Sequence, residues 1–318
     1  MESVSLDKTE IELTEGDEEQ LTATIAPENA SNKNVSWSSS DEEVGTVSSG
    51  GKVTAVKAGT ATITVTTEDG GKTATCAVTV KSGLPEGALP GEFSVSATKK
   101  VHFSKGNLVA TINASGAPTA WKFAANQYDY LGGGGANETI GTAAGDIDLF
   151  VWSTAATTYG ISTSTSTSDY SGDFVDWGKA IDNKGTWRTL SNDEWKYLFK
   201  TRTNASSLYK YGVTVCGKTN CVIIAPDNWD TSANPLQTSY DATAWATAEA
   251  AGLVCLPAAG YRYGSLVSYI GDGGYYWSST AIGSSIACNV YFSSRDVSPV
   301  NYDFRSYGRS VRLITDVK

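Results

Sequence analysis

The sequence predicts two folded units, an all-β sandwich followed by an α+β domain with short helices and irregular loops. Three observations predict it. Residues 3–80 break into short alternating runs (VSLD, IELT, LTATIAP, NVSWSSS, VGTVSS, KVTAVKAG, TATITVTT, TCAVTV), punctuated at roughly ten-residue spacing by turn residues. The segment SGLPEGALPGE, residues 82–92, has two Pro and three Gly and reads as a linker. From Phe93 onward strand-like alternation is interrupted by helix-start signals. The expected organisation is therefore 1–81, a linker at 82–92, and a second domain over 93–318.

In the first unit the turn chemistry sits at Gly50-Gly51, Gly59 and Asp69-Gly70-Gly71. Seven or eight short strands in this length predict a β-sandwich. The pieces WSSSD (Trp37–Asp41) and GKVTAVKAGTATIT (Gly51–Thr64), with the alternating strand that closes at Val80, resemble a bacterial immunoglobulin-like domain of group 2. That resemblance implies a spacer or adhesive module on a surface or phage-structural protein. The carboxylates Glu15, Asp17, Glu18, Glu19, Asp41, Glu42 and Glu43 lie in turns and read as solvated loop charge rather than metal ligands.

Composition limits the functions. The net charge is −10; residues 1–81 hold 14 acidic and 6 basic side chains, the remainder 20 and 18. An acidic chain without a basic stripe argues against nucleic acid as partner. The apolar runs are too short to insert in a membrane. Met1 leads directly into ESVSLDKTE, so either the chain is not exported through a signal peptide or it begins after a removed one. The single His102 alternates in KKVHFS and is expected as a strand residue. Cys216 and Cys221 (CGKTNC) could form a hairpin disulfide or a reduced turn, and Cys76 and Cys255 read as core thiols.

In the second unit, FSVSATKKVHFSKGNLVATI and AWKFA predict two or three strands. Gly132–Gly135 reads as a flexible turn, because a phosphate cradle needs a flanking strand, a helix and a Lys. DIDLFVWSTA (146–155) is a strand or a helix–strand junction, and ISTSTSTSDYSGD (161–173) a Ser/Thr-rich loop. Ser191 with Glu194 forms a capping box, and Trp195, Leu198 and Phe199 follow at helical spacing. TVCGKTNCVIIAPDNW (214–229) predicts a hairpin, and DATAWATAEAAG (241–252) a short helix ending before Gly252.

The last stretch, Gly260–Leu313, has no Lys, Glu, Gln or Met, and its five basic residues (Arg262, Arg295, Arg305, Arg309, Arg312) are all Arg, of only seven in the chain. A solvated surface ordinarily uses Lys and Glu, whereas Tyr, Ser, Gly, Asp and Arg make up paratopes. The ordered pieces TWRTLSNDEWKYLFKTR, GLVCLPAAGYRYG, GGYYWSST and GRSVRLI resemble the C-type-lectin fold of the formylglycine-generating-enzyme type, above all the variable proteins of diversity-generating retroelements. That resemblance implies a variable region at about 261–312, in which Asn codons are rewritten to NNY codons that cannot encode Lys, Glu, Gln, Met or Trp. Trp277 would belong to the unvaried WSST frame, with Gly264, Gly271, Tyr276, Phe292, Pro299, Gly308, Ser310, Val311 and Arg312. The ligand-binding positions implied are Tyr263, Leu266, Tyr269, Tyr275, Ile282, Ile286, Tyr291, Arg295, Asp296, Tyr302, Asp303, Phe304, Tyr307 and Arg309, with Cys288 and Ser306 also varied.

The function expected is non-enzymatic recognition of a protein or glycan ligand, from a bacterial cell surface or a phage particle, without nucleic acid, cofactor or metal. Two alternatives compete. An enzyme of the formylglycine-generating family would need its pair of reactive Cys, but Cys288 falls at a varied position and Cys216–Cys221 in another segment. A calcium-dependent lectin would need Glu-Pro-Asn or Gln-Pro-Asp, and here Pro299 is flanked by Ser298 and Val300.

Overall fold

The structure is a computed structural model and describes residues 2–133, 136–182 and 184–317. It divides into two compact units, 1–85 and 86–318. The chain is mostly β, 42% strand and 11% helix.

The first unit contains nine strands among the described residues. One sheet orders Glu10–Thr14, Thr73–Lys81, Gly59–Thr67 and Val35–Ser39, the first pair parallel and the others antiparallel. A second joins Glu18–Gln20, Lys52–Ala55 and Gly45–Val47, and a third pairs Ser3–Leu6 with Ala23–Ala26. Alternation decides what is buried. Ala61, Ile63 and Val65 face inward from one long strand and Cys76, Val78 and Val80 from its neighbour, meeting Leu21 and Val53. The two signature segments meet at Gly51, whose φ is +81°. A Cβ there would lie 2.6 Å from the Leu21 carbonyl oxygen and 2.7 Å from the Trp37 ring, so only glycine fits beneath the tryptophan.

The second unit starts earlier than expected. Leu89 is buried in its core and its N–H bonds to Phe103 O at 2.8 Å, so part of the segment expected as linker belongs to the fold. The two ends of the unit lie side by side, since Lys100–Phe103 pairs antiparallel with Leu313–Asp316. His102 is a buried strand residue there, with Nδ1 3.0 Å from Gly91 O. The hairpin expected over 214–229 is present but displaced toward the N-terminus, its strands being Tyr209–Val215 and Lys218–Ile224, flanked by Ser239–Tyr240 and Val254–Leu256. Cys216 and Cys221 are free thiols. The capping box is present, with Ser191 accepting from Glu194 N, and the helix Asn192–Lys196 passes into a wider turn that buries Leu198 and Phe199. Ala242–Ala250 is the second predicted helix, capped by Asp241. Residues 146–155 supply the end of a short strand (Gly145–Ile147) and an isolated bridge from Phe150 to Arg309. Gly134 and Gly135 of the four-glycine turn lie outside the described residues.

The last stretch forms two small sheets. One orders Leu266–Ser268, Tyr261–Tyr263 and Tyr307–Gly308. The other is the antiparallel meander Gly273–Ile282, Ile286–Ser293 and Val297–Phe304. Tyr276, Val290, Phe292 and Val297 on one side of this meander join the core of Phe103, Trp195 and Leu198. Gly274 is obligatory here, because a Cβ would fall 2.0 Å from the Phe292 ring on the paired strand.

Candidate functional site

The tyrosines of the two C-terminal sheets form a connected aromatic surface. Tyr261 is its hub. It stacks on Tyr269 at 5.6 Å between ring centroids and meets Tyr275 and Tyr307 edge-on at 5.3 Å each. Tyr263 extends the cluster through Tyr307 at 4.9 Å, and Tyr291 through Tyr275 at 5.1 Å. These separations suit offset and edge-to-face ring pairs. Strand register brings the rings together, with Tyr263 opposite Tyr307 and Tyr275 opposite Tyr291. Tyr269 reaches Tyr261 from a left-handed turn with φ 59°, an uncommon conformation for a non-glycine residue. Tyr263 and Tyr269 remain exposed, the other four half-buried. Partial burial pushes the Tyr275 hydroxyl up to about 12. The Tyr307 hydroxyl is also raised, by burial first and then by Asp303.

Five of the residues expected at the site, Tyr263, Tyr269, Tyr275, Tyr291 and Tyr307, are thus brought into one cluster. The hub Tyr261 was not among the expected residues. Its signal was available in the alternation of YRY, which places Tyr261 on the same face as Tyr263. Leu266 is opposite Tyr263 in the hairpin and exposed at 70%, at the edge of the aromatic surface.

Other expected residues lie elsewhere. Ile286 pairs with both Ile282 and Phe304, and Cys288 with Tyr302. Alternation along the Ile286–Ser293 strand therefore puts Ile282, Tyr302 and Phe304 on the face opposite Tyr275 and Tyr291. They form a separate exposed apolar group with Val300. Arg295 and Asp296 occupy the turn at the other end of the meander, where Ser293 Oγ and Asp296 Oδ1 are 3.0 Å apart. Cys288 and Ser306, expected as varied positions, are 4% and 2% exposed, Cys288 on a strand of the meander and Ser306 in the turn that follows it.

The arginines require the largest correction. Arg262, Arg305, Arg309 and Arg312 are all at most 3% exposed, leaving only Arg295 of the five at the surface. Arg262 donates to Gly264 O at 2.6 Å and Leu149 O at 3.1 Å. Arg305 donates to Tyr170 O (2.7 Å), Gly172 O (3.0 Å) and Gly283 O (2.7 Å), tying the Ser/Thr-rich loop to the 282–286 turn. Arg312, expected as framework, donates to Gln127 Oε1 at 2.6 Å and Asn107 Oδ1 at 3.3 Å. Burial lowers the guanidinium pKa of Arg262 and of Arg312 to about 10, which leaves both charged at neutral pH.

Arg309, expected to touch ligand, lies beneath the aromatic surface instead. Its Nη2 bonds to Asp303 Oδ2 at 2.6 Å and its Nη1 to Asn289 Oδ1 at 3.3 Å. Its guanidinium carbon lies 4.9 Å from the Tyr275 ring centroid, 5.0 Å from Trp277 and 5.7 Å from Tyr307. Asp303 is likewise committed to Arg309, although its side chain remains 36% exposed. A cation can be buried here because a carboxylate, an amide oxygen and aromatic faces replace its hydration.

No group of three or more His, Cys, Asp or Glu among the described residues is arranged to hold a metal ion. Among them, no helix is long and apolar enough to cross a membrane.

Comparison with known proteins gives two family matches, one in each unit. Residues 1–78 match the family of bacterial Ig-like domains (group 2), and residues 195–314 match a family described as a domain of unknown function (DUF8237). An alpha-L-arabinofuranosidase of Bifidobacterium longum subsp. longum is 45% identical over 112 residues, 35% of this chain and 10% of that protein. A lacto-N-biosidase of Bifidobacterium bifidum is 42% identical over 118 residues, again 35% and 10%. An uncharacterized protein of Clostridium acetobutylicum is 44% identical over 79 residues, 24% and 8%. The chain spans about a tenth of the length of these relatives. Among solved structures, an intimin mutant of EHEC O157:H7 aligns with TM-score 0.18 at 24% identity, over 21% of this chain and 34% of that one. Domains 4 and 5 of the S-layer protein SbsC align with TM-score 0.22 at 25% identity, over 25% and 51%. With the sandwich and its Trp37–Gly51 packing already in view, the sequence match identifies the N-terminal unit as a bacterial immunoglobulin-like domain of group 2.

Proposed function

We propose that this chain is a non-enzymatic binding protein whose second unit presents the tyrosine surface to a protein or glycan ligand on another cell or surface. The observation that carries the reading is the six-ring cluster around Tyr261. Tyr offers apolar area and a hydroxyl at low rotamer cost, and rings that pack on one another are ordered before the ligand arrives. The first unit supports the setting, since an immunoglobulin-like domain of this group fits a cell-surface or binding role. In this proposal the second unit is C-type-lectin-like, the chain stands on a bacterial envelope or phage particle, and the residues at about 261–312 are diversified through a retroelement. The absence of Lys, Glu, Gln and Met from Gly260–Leu313 supports the last point.

The test uses fluorescently labelled full-length chain on a glycan array and on bacterial cells, beside a Tyr263→Ser/Tyr269→Ser/Tyr307→Ser variant. Truncated interface hot spots cost about 2 kcal/mol or more each, so binding should weaken more than roughly 30-fold while circular dichroism is unchanged. Equal binding by the folded variant would remove the tyrosine surface from the function. Sequencing the flanking DNA tests diversification separately, because a template repeat aligned with these codons is required.

A further inference from the structure

The sequence placed Arg309 among the ligand contacts, but its side chain is 1% exposed. We infer that Arg309 is a positioning residue, a cation built into the underside of the tyrosine surface that sets the orientation of Tyr275 and Tyr307 without touching ligand. This deepens the binding proposal and rests on it for its purpose, although the positioning itself can be measured without any ligand.

The guanidinium is fixed from several directions. Backbone bonds of 2.9 Å in both directions between Arg309 and Phe150 hold its main chain. Asp303, on the outer strand of the meander, grips Nη2 at 2.6 Å. Asn289 grips Nη1 at 3.3 Å, and Asn289 Oδ1 in turn accepts from Asn301 Nδ2 at 3.1 Å. The Trp277 ring, 5.0 Å from the guanidinium carbon, is itself pinned by an Nε1 bond to Phe150 O at 2.7 Å. Against this frame the guanidinium lies over the rings of Tyr275 and Tyr307, whose quadrupoles attract it. Tyr275 and Tyr307 both contact Tyr261, so the orientation of two rings propagates to the hub. The same ion pair links the tyrosine surface to the strand that bears Tyr302 and Phe304 on its other face.

Lysine cannot replace this arrangement, because an ammonium lacks both the planar fork and the two flat faces. Methionine can fill the volume, and the Asp303 carboxylate left behind is 36% exposed and can take water as its partner. Positioning and simple stability therefore separate experimentally.

The full chain is labelled with 3-fluorotyrosine, and the lines of Tyr209, Tyr240, Tyr261, Tyr275 and Tyr307 among its 16 tyrosines are assigned by single Tyr→Phe substitutions. In Arg309→Met the fluorine lines of Tyr275, Tyr307 and Tyr261 should shift and narrow as ring motion increases. Those of Tyr209 and Tyr240, in other parts of the unit, should stay in place. Arg309→Lys should behave like Arg309→Met. Unchanged Tyr275 and Tyr307 lines in Arg309→Met overturn the inference, and so does a general shift of all tyrosine lines, which marks a purely structural residue. If Arg309→Met does not fold, Asp303→Asn removes the counter-charge while keeping the cation. It should then move the Tyr307 and Tyr275 lines by a smaller amount, and unmoved lines there refute the assignment. A positive fluorine result with no ligand binding to the wild-type chain would retain the positioning role and discard the binding proposal.

Discussion

Replacing Tyr261 by leucine is the most direct test of whether the aromatic surface is a cooperative unit. Leucine keeps much of the apolar bulk and removes the ring contacts with Tyr269, Tyr275 and Tyr307 at 5.6, 5.3 and 5.3 Å. Each such pair is worth about 0.5–1.5 kcal/mol beyond the area it buries. Tyr261 is only half-buried, which places each contact near the lower end and the total loss at about 1.5–2 kcal/mol. Equilibrium urea unfolding of the full chain, followed by tryptophan fluorescence, reads this loss, because eight of the nine tryptophans lie beyond residue 86. A double-mutant cycle with Tyr307→Leu should then show a coupling of about 0.5–1 kcal/mol. A destabilisation below about 0.5 kcal/mol, or additivity within about 0.3 kcal/mol, would refute the idea that these rings order one another.

Other outcomes follow from the same contacts. Substituting Tyr302 and Phe304 by Ser should alter binding less than the Tyr263/Tyr269/Tyr307 triple, because Tyr302 and Phe304 lie on the face of the meander opposite Tyr275 and Tyr291, which join that cluster; array titrations of both variants check this. A chelator should leave binding by the wild-type chain unchanged, and loss of signal in EDTA would favour a calcium lectin instead. Ser191→Ala removes the capping-box acceptor for Glu194 N and should cost about 1 kcal/mol in urea unfolding of the second unit. Arg188 holds the Asp316 carboxyl below its ordinary value of 3.8, so this pair stabilises the fold above that pH. Its contribution should disappear as pH falls below about 4 through the lowered folded-state value, and Arg188→Met should flatten that part of the acid-unfolding profile.

The legible parts of this protein are those in which one local rule suffices. Alternation in TATITVTT places Ile63 and Val65 in the core of the first unit, and Ser191 with Glu194 starts a helix at Asn192. The turn of the hairpin at Cys216–Gly217 and the helix capped by Asp241 were readable for the same reason, although the first hairpin strand starts at Tyr209, five residues before the expected Thr214. The boundary at residues 82–92 was harder, because Pro and Gly report a flexible composition and not whether Leu89 finds a core. At the site, the abundance of Tyr was visible but its partition between two faces was not. A bulge between Asn289 and Tyr291 and another after Trp277 reset the pairing locally, and composition carries no record of register.

By itself the sequence determined the immunoglobulin-like sandwich, the local start signals of the second unit and the unusual residue set of Gly260–Leu313. Only the tertiary structure decided what the arginines do. Arginine is ordinarily exposed, and burying it requires acceptors that close around it from distant segments. Here Arg262 finds Leu149 O, 113 positions away, Arg305 finds Tyr170 O, 135 positions away, and Arg312 finds Gln127, 185 positions away. Those partners share no local pattern with the arginines they hold, so four of the five arginines of this stretch are interior ties between distant segments, and one of them, Arg309, lies beneath the tyrosine surface.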